Sequence, residues 1–420
     1  MSSPAPSPAP APRRRRLLGA LRHRNYRLFF TGQVISTVGT WMQSIALPWL
    51  VLLLTHNDFL VGITLAFQFL PMLLAGPIGG IVADHFPKRR ILLVTQTAYT
   101  IPALTLFLLT HFHVVQFPFV LAAAVMVGTV NVFDVPARQA FSIEMVGRED
   151  LMNAIALNSS VFNGAAVVGP SVAGVIIGLL GVQLCFLINA LSFAGTIVAL
   201  LRMRNLPSVV RAAETTSVWA RVREGASYAR RDPLVGTMLV MVGVFSLFAM
   251  NRLTLIPLFA DRVLHIGAAG FGFLMASLGL GALSGALTLA LFPGQGSGRR
   301  QFVVGVVWSL MLIAFSFSRV AVLSGLLLYG AGFCQMWFLA TANTRIQMAA
   351  PDSLRGRVMS LYAQAMMGTS PIGSTQAGAL SALFGPPVAM VFGAVVAGAT
   401  VIGVRLWRPA VFEAERAQPQ

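Results

Sequence analysis

The sequence predicts an all-α membrane protein with twelve transmembrane helices in two six-helix pseudo-repeat bundles. Hydrophobic residues make up 56% of the 420 residues and charged residues only 10%, whereas soluble domains carry about 25% charged residues. The charges divide the chain into apolar stretches that can hold twelve spans of about 20 residues each. Two similar charged segments recur roughly 200 residues apart, which indicates an internal repeat.

Six predicted spans precede a basic central segment and six follow it. The first half holds one span each in residues 28–57 and 59–83, two in 91–133 and two in 151–201. The second half holds one span each in residues 233–260, 263–298, 301–318 and 320–344, and two in 358–404. These stretches predict an N-terminal bundle over residues 21–203 and a C-terminal bundle over residues 233–407.

Three polar segments lie outside the predicted bundles. Residues 1–20 are rich in Pro, Ala and Arg and predict a disordered basic tail, and residues 408–420 predict a second tail. Residues 204–232 predict a linker that contains an amphipathic helix. Its apolar positions recur at helical spacing: Trp219, Val222, Ala226 and Ala229. The helix either lies on the inner membrane surface or forms a solvated connector.

The repeat is visible in the segments after the fourth and tenth spans. Residues 134–151 read DVPARQAFSIEMVGREDL, and residues 343–358 read NTRIQMAAPDSLRGRV. Each has an Arg and a Gln at the membrane exit, then an acidic residue and a Leu before the next span. Two six-helix halves in parallel repeat are typical of transporters, whose substrate site lies between the halves near mid-membrane.

The distribution of basic residues predicts the topology. The chain has 30 Lys and Arg against 13 acidic residues, for a net charge of +17. With the N-terminus inside, all basic residues except Arg252, Arg262 and Arg319 fall at or next to the cytoplasmic face. Because short cytoplasmic loops carry an excess of Lys and Arg, both termini are predicted to be cytoplasmic. This topology accounts for the charge without a nucleic-acid partner.

The patterns expected of other function classes are missing from the sequence. Cys185 and Cys334 lie in apolar runs without metal-ligand spacing, so they predict core positions rather than a metal site. The only lysine, Lys88, follows a proline, so the chain has no phosphate-binding G-K-[ST] loop. It also has neither H-E-x-x-H nor G-x-S-x-G, which argues against an intramembrane enzyme.

The loop after the second span carries the most specific motif. Residues 79–90 read GGIVADHFPKRR, which resembles the G-x-L-A-D-x-x-G-R-K motif of the major facilitator superfamily. Pro87 replaces the usual glycine, and five positions match: Gly80, Ala83, Asp84, Lys88 and Arg89. The resemblance implies that Asp84 closes the cytoplasmic gate against the start of helix 11, because a helix N-terminus stabilises a carboxylate. The alternative is positive-inside anchoring alone.

The fifth span carries a second motif, in residues 163–174. Gly169, Pro170 and Gly174 resemble the G-P-x-x-G-G antiporter motif of exporters in the superfamily, with Ala173 at one glycine position. Glycines let helices approach closely and proline bends a helix, so this helix could permit the halves to rock. The alternative is tight packing without a gating role.

The opening LRHRNYRLFFTGQVISTVGTW, with DVPARQAF and LRGRVMSLY, makes the chain similar to one bacterial branch of the superfamily. That branch includes the enterobactin exporter and drug–proton antiporters. The resemblance implies the major facilitator fold, a monomer in the bacterial cytoplasmic (inner) membrane, and no cofactor. It implies proton-coupled export of a small amphipathic molecule such as a drug, siderophore or secondary metabolite. A flippase for lipids or lipid-linked intermediates and an importer are the alternatives.

Polar residues at membrane depth are the remaining candidates for the gate and the cavity. Asp134 and Arg138, at i and i+4, form either an ion pair at the inner gate or a site where Asp134 exchanges protons. Arg355 and Arg357 complete the predicted gate. The predicted substrate cavity contains five residues: Gln43, Asn131, Asn251, Arg252 and Gln335.

The predicted roles of Arg252 and of the three amide side chains each have an alternative. An arginine at membrane depth costs about 2.5–3.5 kcal/mol on insertion scales, so Arg252 should face a cavity, a counter-charge or the outer interface. Gln43, Asn131 and Gln335 either contact substrate or form hydrogen bonds to a neighbouring helix.

Overall fold

The computed structural model describes residues 19–147, 150–204, 218–291 and 297–413, and these residues contain helices and no β-strand. The helices of the first half are α1 Arg24–Thr55, α2 Asp58–His85, α3 Lys88–His111, α4 Phe117–Val146, α5 Leu151–Leu180 and α6 Gln183–Leu201. A connecting helix, α7 Val218–Arg231, follows. The helices of the second half are α8 Pro233–Val244, α9 Arg252–Leu258, α10 Gly267–Leu291, α11 Gly298–Phe317, α12 Ala321–Ala349, α13 Asp352–Met367, α14 Ser370–Phe384 and α15 Pro386–Trp407.

These helices form twelve spans in two halves, as predicted. Eleven segments of the described chain are long and apolar enough to cross a membrane, and one of them, Pro233–Val263, combines α8 and α9. The remaining span is the eleventh, which is divided into α13 and α14. The division falls at Gly368 and Thr369, just before Pro371, where neither glycine nor proline favours a continuous helix.

Two helices continue past charges that were predicted to end them. The spans predicted to end at residues 133 and 344 extend as α4 and α12 to Val146 and Ala349. In α12, Arg345 is buried and donates hydrogen bonds to Gln301 Oε1 at 2.8 Å and to the Val411 carbonyl at 2.5 Å. Because these acceptors bind both terminal nitrogens of the guanidinium, the charge does not have to end the helix.

The seventh span is irregular near its middle. Residues 245–249 and 259–263 form π-helical turns, and the helix is interrupted at Met250 and Asn251. Phe245 anchors this region in the core, with its ring centroid 4.6 Å from those of Trp308 and Phe338. Asn251 Nδ2 donates to the Leu247 carbonyl at 2.9 Å, which satisfies a backbone group at the interruption. Such π-helical turns in a helix are common at functional sites.

The connecting helix α7 packs on the start of α13 rather than only on a membrane surface. Glu224 forms an ion pair with Arg357, and Tyr228 donates a hydrogen bond to the Ala349 carbonyl at 2.9 Å. Burial and the charge of Asp232 raise the pKa of Tyr228 above its ordinary value, so its hydroxyl is protonated and can donate this bond. Ala229 is buried, whereas the side chains of residues 218–222, including Trp219 and Val222, and residues 205–217 lie outside the described part of the chain.

Residues at the inner edges of both predicted tails pack on the bundles. Ala20 is buried, and its backbone N–H donates to Asn153 Oδ1 at 3.0 Å. At the other end, Val411 and Phe412 are buried against the second half. Residues close to the predicted boundaries at 20 and 408 therefore pack on the bundles. Residues 1–18 and 414–420 lie outside the described residues.

Candidate functional site

The two ends of the bundle differ in charge and are called the basic end and the far end. The basic end carries Lys88, Arg89, Arg138 and the first turn of α13. The far end, at the opposite ends of the same helices, carries the first turn of α2 and the last turn of α14. The halves pack together mainly through two helix pairs, α2 with α14 and α5 with α10.

All hydrogen bonds and ion pairs found between described residues of different halves lie at the far end. Asp58 Oδ1 lies 2.7 Å from Arg262 Nη2, and Ser381 Oγ donates to Asp58 Oδ2 at 2.5 Å. Arg262 also donates to the His56 carbonyl at 2.6 Å. Asp58 is only 1% exposed, so its charge is stabilised by these partners rather than by bulk water. These four residues are called the far-end cluster below.

The residues next to Asp58 in the sequence place its side chain for this contact. Asn57 caps α2, because its side chain accepts a hydrogen bond from the Phe59 backbone N–H at 2.9 Å. Asp58 therefore lies in the first turn of α2, where the helix dipole favours a negative charge. One turn further, Gly62 packs directly on Gly378 of α14, and a Cβ on Gly62 would lie 3.0 Å from the Gly378 Cα. The absence of both side chains lets the two backbones meet beside the ion pair.

The antiporter-like segment of α5 makes a second close contact between the halves. A Cβ on Gly174 would lie 2.8 Å from the Cα of Gly272 in α10. Pro170 cannot donate to the carbonyl of Ala166, and that carbonyl would lie 2.9 Å from a Cβ on Gly279 of α10. Gly169 instead packs within its own half, where a Cβ would lie 2.5 Å from the Trp41 Cβ. Of the predicted motif, Gly174 and the Pro170 region face the other half, and Gly169 does not.

The predicted gate motif forms bonds within the first half only. Lys88 is buried and forms an ion pair with Glu144 at 2.9 Å. Arg89 donates from Nε to the Leu200 carbonyl at 2.8 Å and from Nη2 to the Leu201 carbonyl at 3.0 Å. It thereby satisfies carbonyls at the C-terminus of α6, where a cation is favoured.

Asp84 is exposed at the basic end and forms no hydrogen bond or ion pair with a described residue. The predicted contact with the start of the eleventh span is therefore not formed in this arrangement of the halves. The close helix packing in the motif lies at Gly79, whose Cβ would collide with the Val132 carbonyl. Gly80, the motif position, has open space around it.

Asp134 and Arg138 form the predicted ion pair, with Arg138 Nε 2.9 Å from Asp134 Oδ2. Asp134 is buried, and two side chains of α3 also donate to it: Thr95 Oγ1 at 2.7 Å and Gln96 Nε2 at 2.9 Å. Because three side chains donate to one buried carboxylate, Asp134 is the centre of a polar cluster inside the first half.

The two predicted gate arginines of α13 bond within the second half. Arg355 Nε donates to the Gln347 carbonyl at 3.1 Å, and Arg357 pairs with Glu224 of α7. The connecting helix is thereby attached to the gate region of the eleventh span. This attachment was not predicted from the sequence.

Arg252 and Gln335 are the two predicted cavity residues that the structure brings together. Both line a cavity of about 20 Å³ inside the second half, which is room for about one water molecule. The rest of the lining is apolar or aromatic, including Trp308 and Met390. Among the described residues, Arg252 has no ion-pair partner, and its side chain donates no hydrogen bond. An unpaired guanidinium at membrane depth is costly, which marks Arg252 as a candidate site residue.

The other three predicted cavity residues hold helices together or cap a helix interruption. Asn189 of α6 donates to Gln43 Oε1 at 2.6 Å, and Tyr99 of α3 donates to Asn131 Oδ1 at 2.8 Å. Asn251 is buried at the interruption of the seventh span. Gln43 and Asn131 therefore form hydrogen bonds to neighbouring helices, which was the alternative to substrate contact.

The far-end cluster was not predicted from the sequence. Asp58 lies between the first two predicted spans, and the sequence assigns it no role, whereas Arg262 enters the prediction only as an exception to the charge distribution. Opposite charges at the far ends of the second and seventh spans were the signal that could have paired them. The described residues contain no group of three or more His, Cys, Asp or Glu side chains that could hold a metal ion.

Comparisons with known proteins agree with this architecture. The profile of a family described as transmembrane secretion effector matches residues 17–420. The chain is similar to the enterobactin exporter EntS of Shigella boydii serotype 4 (strain Sb227), with 24% identity over 366 residues and 87% of each chain covered. It is also similar to the staphyloferrin A transporter of Staphylococcus aureus (strain NCTC 8325 / PS 47), with 23% identity over 368 residues and 86% of this chain and 90% of the relative covered.

Solved structures share the fold at lower sequence identity. One is a bacterial homologue of the human lysosomal transporter Spinster in an inward-facing, unoccupied conformation, with a TM-score of 0.72, 13% identity, and 93% and 96% of the two chains covered. Another is a POT family transporter in complex with 5-aminolevulinic acid, with a TM-score of 0.75, 12% identity, and 93% and 97% covered. Because the family profile spans nearly the whole sequence, the chain belongs to the transmembrane secretion effector family of the major facilitator superfamily, as its motifs predicted.

Proposed function

We propose that the protein exports a small amphipathic molecule of the siderophore type by proton-coupled alternating access, with no catalytic step and no cofactor. The observation that carries the proposal is the difference between the two ends of the bundle. The far-end cluster bonds the halves together, whereas Asp84 at the basic end is exposed and has no bonding partner among the described residues. A transporter with its far end sealed and its basic end open is expected to have this asymmetry.

We propose that the basic end faces the cytoplasm of a bacterium, with both termini inside and the chain acting as a monomer. The positive-inside rule supports this orientation, because only Arg252, Arg262 and Arg319 lie away from the basic end. The arrangement of the halves is then the inward-facing one, which receives substrate from the cytoplasm. Closing the basic end would bring Asp84 to the first turn of α13, where backbone N–H groups favour a carboxylate.

The proposed substrate class is supported by the relatives and by Arg252. Two relatives are an enterobactin exporter and a staphyloferrin A transporter. A molecule that binds a hard ferric ion presents oxygen donors that are negatively charged when ionised. Arg252 has no carboxylate partner among the described residues, and its cavity holds only about one water molecule in this arrangement. We propose that movement of the seventh span opens this cavity and lets Arg252 bind an anionic group of the substrate. The interruption of the seventh span beside Arg252 is typical of transporter binding sites.

We propose that Asp134 carries the coupled proton. Asp58 and Asp134 are the buried carboxylates of the described residues. Asp58 lies in the seal between the halves, so its protonation would act on the far-end contact rather than carry a proton to the basic end. Asp134 lies in α4 toward the basic end, and its protonation would release Arg138. The membrane potential alone supplies about 2.3 kcal/mol per charge per 100 mV. The alternative role for Asp134 is to position Arg138 at the gate.

A cell-based accumulation assay tests the proposal. Cells making the wild type are compared with cells making Asp84→Asn at equal membrane level, using a panel of dyes, antibiotics and iron-free siderophores. We expect lower intracellular accumulation of a siderophore in wild-type cells, with the difference removed by a protonophore and by Asp84→Asn. Export that continues in de-energised cells would exclude proton coupling. No difference across the panel, with transbilayer movement of a lipid instead, would replace this proposal by the flippase alternative.

A further inference from the structure

A groove of about 480 Å³ opens on the second half at the basic end of α11. It contains none of the gate or cavity residues discussed above. Its lining combines cations, apolar side chains and one indole: Ser297, Arg299, Arg300, Val303, Val304 and Trp337.

The two arginines of the groove have no protein counter-charge. Arg299 and Arg300 are exposed, and neither guanidinium forms an ion pair or a hydrogen bond within the described part of the chain. Two other basic side chains at this end do have acidic partners: Lys88 pairs with Glu144, and Arg357 pairs with Glu224. Two adjacent cations without an acidic partner are suited to bind a phosphate, because each guanidinium offers several donors.

The wall below the arginines is apolar. Val303, about one turn further into α11, is 49% exposed although it is a large hydrophobic side chain. Helix α11 packs on α12 and α15 and makes no bond to the first half among the described residues, so this wall faces outward. An outward apolar surface next to cations matches the boundary between acyl chains and headgroups.

Trp337 supplies the third feature of the groove. The residue is 8% exposed, and its indole Nε1–H is buried without a hydrogen-bond partner. An unsatisfied buried donor is uncommon and calls for an acceptor. A phosphate or ester oxygen of a lipid is an acceptor of the right chemistry, and Trp side chains favour this depth of the membrane.

We propose that this groove binds the headgroup of an anionic phospholipid of the cytoplasmic leaflet. The phosphate contacts Arg299 and Arg300, the acyl chains follow Val303 and Val304, and the glycerol region accepts a hydrogen bond from Trp337. The inference uses the orientation proposed above, but it depends on neither the substrate nor the proton coupling.

The test measures lipid binding to the purified full chain in detergent by native mass spectrometry. The probes are dioleoyl phosphatidylglycerol, dioleoyl phosphatidylcholine and inorganic phosphate. The double variant Arg299→Gln/Arg300→Gln is compared with Arg230→Gln/Arg231→Gln, which removes two exposed charges of α7 from the same end. Trp337→Phe keeps a ring and removes the N–H donor. Monodispersity in size-exclusion chromatography confirms that each variant is folded.

We expect the groove double variant to bind phosphatidylglycerol on the order of tenfold more weakly, because each arginine near an anionic headgroup contributes to binding. Trp337→Phe should weaken it less, and the α7 variant should bind like the wild type. Equal phosphatidylglycerol affinity in the groove double variant would overturn the proposal. So would an equal loss in the α7 variant, wild-type preference for phosphatidylcholine, or displacement of the lipid by inorganic phosphate at comparable concentration. A failure of export would leave this result unaffected.

Discussion

Neutralising Asp58 should open the far end of the bundle. In Asp58→Asn, the amide keeps the shape of the side chain and the contact with Ser381, but Arg262 loses its counter-charge. Removing one partner of a fully buried ion pair costs about 3–5 kcal/mol. Arg262 is 38% exposed and solvent screens its charge, and exposed pairs contribute about 1 kcal/mol or less. We therefore expect a cost of about 1–2 kcal/mol to the state with a sealed far end.

That cost corresponds to a shift of about five- to thirtyfold in the equilibrium between the sealed and open far end. Spin labels at Val114 and Val322, exposed residues at the far ends of the first and second halves, report this equilibrium as a distance distribution. The two native cysteines, Cys185 and Cys334, are replaced by alanine in this background. We expect Asp58→Asn to increase the population at long distance.

Two controls make the measurement specific. Asp261→Asn removes a neighbouring far-end charge that takes no part in the cluster, and it should leave the distances unchanged. The exchange Asp58→Arg with Arg262→Asp should restore part of the sealed population. The reasoning would be refuted if Asp58→Asn gave the wild-type distribution, or if Asp261→Asn had the same effect.

Three further predictions concern the other contacts of the site. Gly174→Val should part the halves at α5 and α10 at a cost of about 1–3 kcal/mol, because its Cβ would lie 2.8 Å from the Gly272 Cα. The same distance measurement checks this, and Gly164→Val, where the structure has open space, should have no effect. Asp134→Asn should abolish proton-driven accumulation but preserve substrate exchange between loaded vesicles; loss of both would indicate a gate role only. Arg252→Gln should raise the KM for an anionic substrate about tenfold and leave that of its neutral ester unchanged. Arg319→Gln is the matched control, and an equal rise for both substrates would contradict an anion contact.

The fold could be predicted from the sequence because the membrane imposes strong constraints on composition. The length of the apolar stretches predicted the spans, and the positions of the arginines predicted which end of the bundle is basic. The errors arose where a charge was satisfied inside the protein. Asp134, Arg138 and Arg345 lie within helices that were predicted to end at them, because nearby donors and acceptors compensate the charges.

The site could be predicted only in part, because side-chain partners depend on how distant helices meet. The i, i+4 spacing identified Asp134 with Arg138, a local pair. Asp58 and Arg262 are about two hundred residues apart and meet only when the second and seventh spans converge. Helix rotation likewise decided that Gly79 rather than Gly80 packs on α4, because adjacent residues point in different directions.

The central claim is proton-driven export, and accumulation in everted membrane vesicles tests it most directly. Vesicles that contain the wild type are energised to acidify the lumen and supplied with radiolabelled, iron-free siderophore. We predict accumulation in the lumen that stops on addition of a protonophore and is missing from vesicles without the protein. Accumulation that persists unchanged with the protonophore, or that equals the level in vesicles without the protein, would contradict the account.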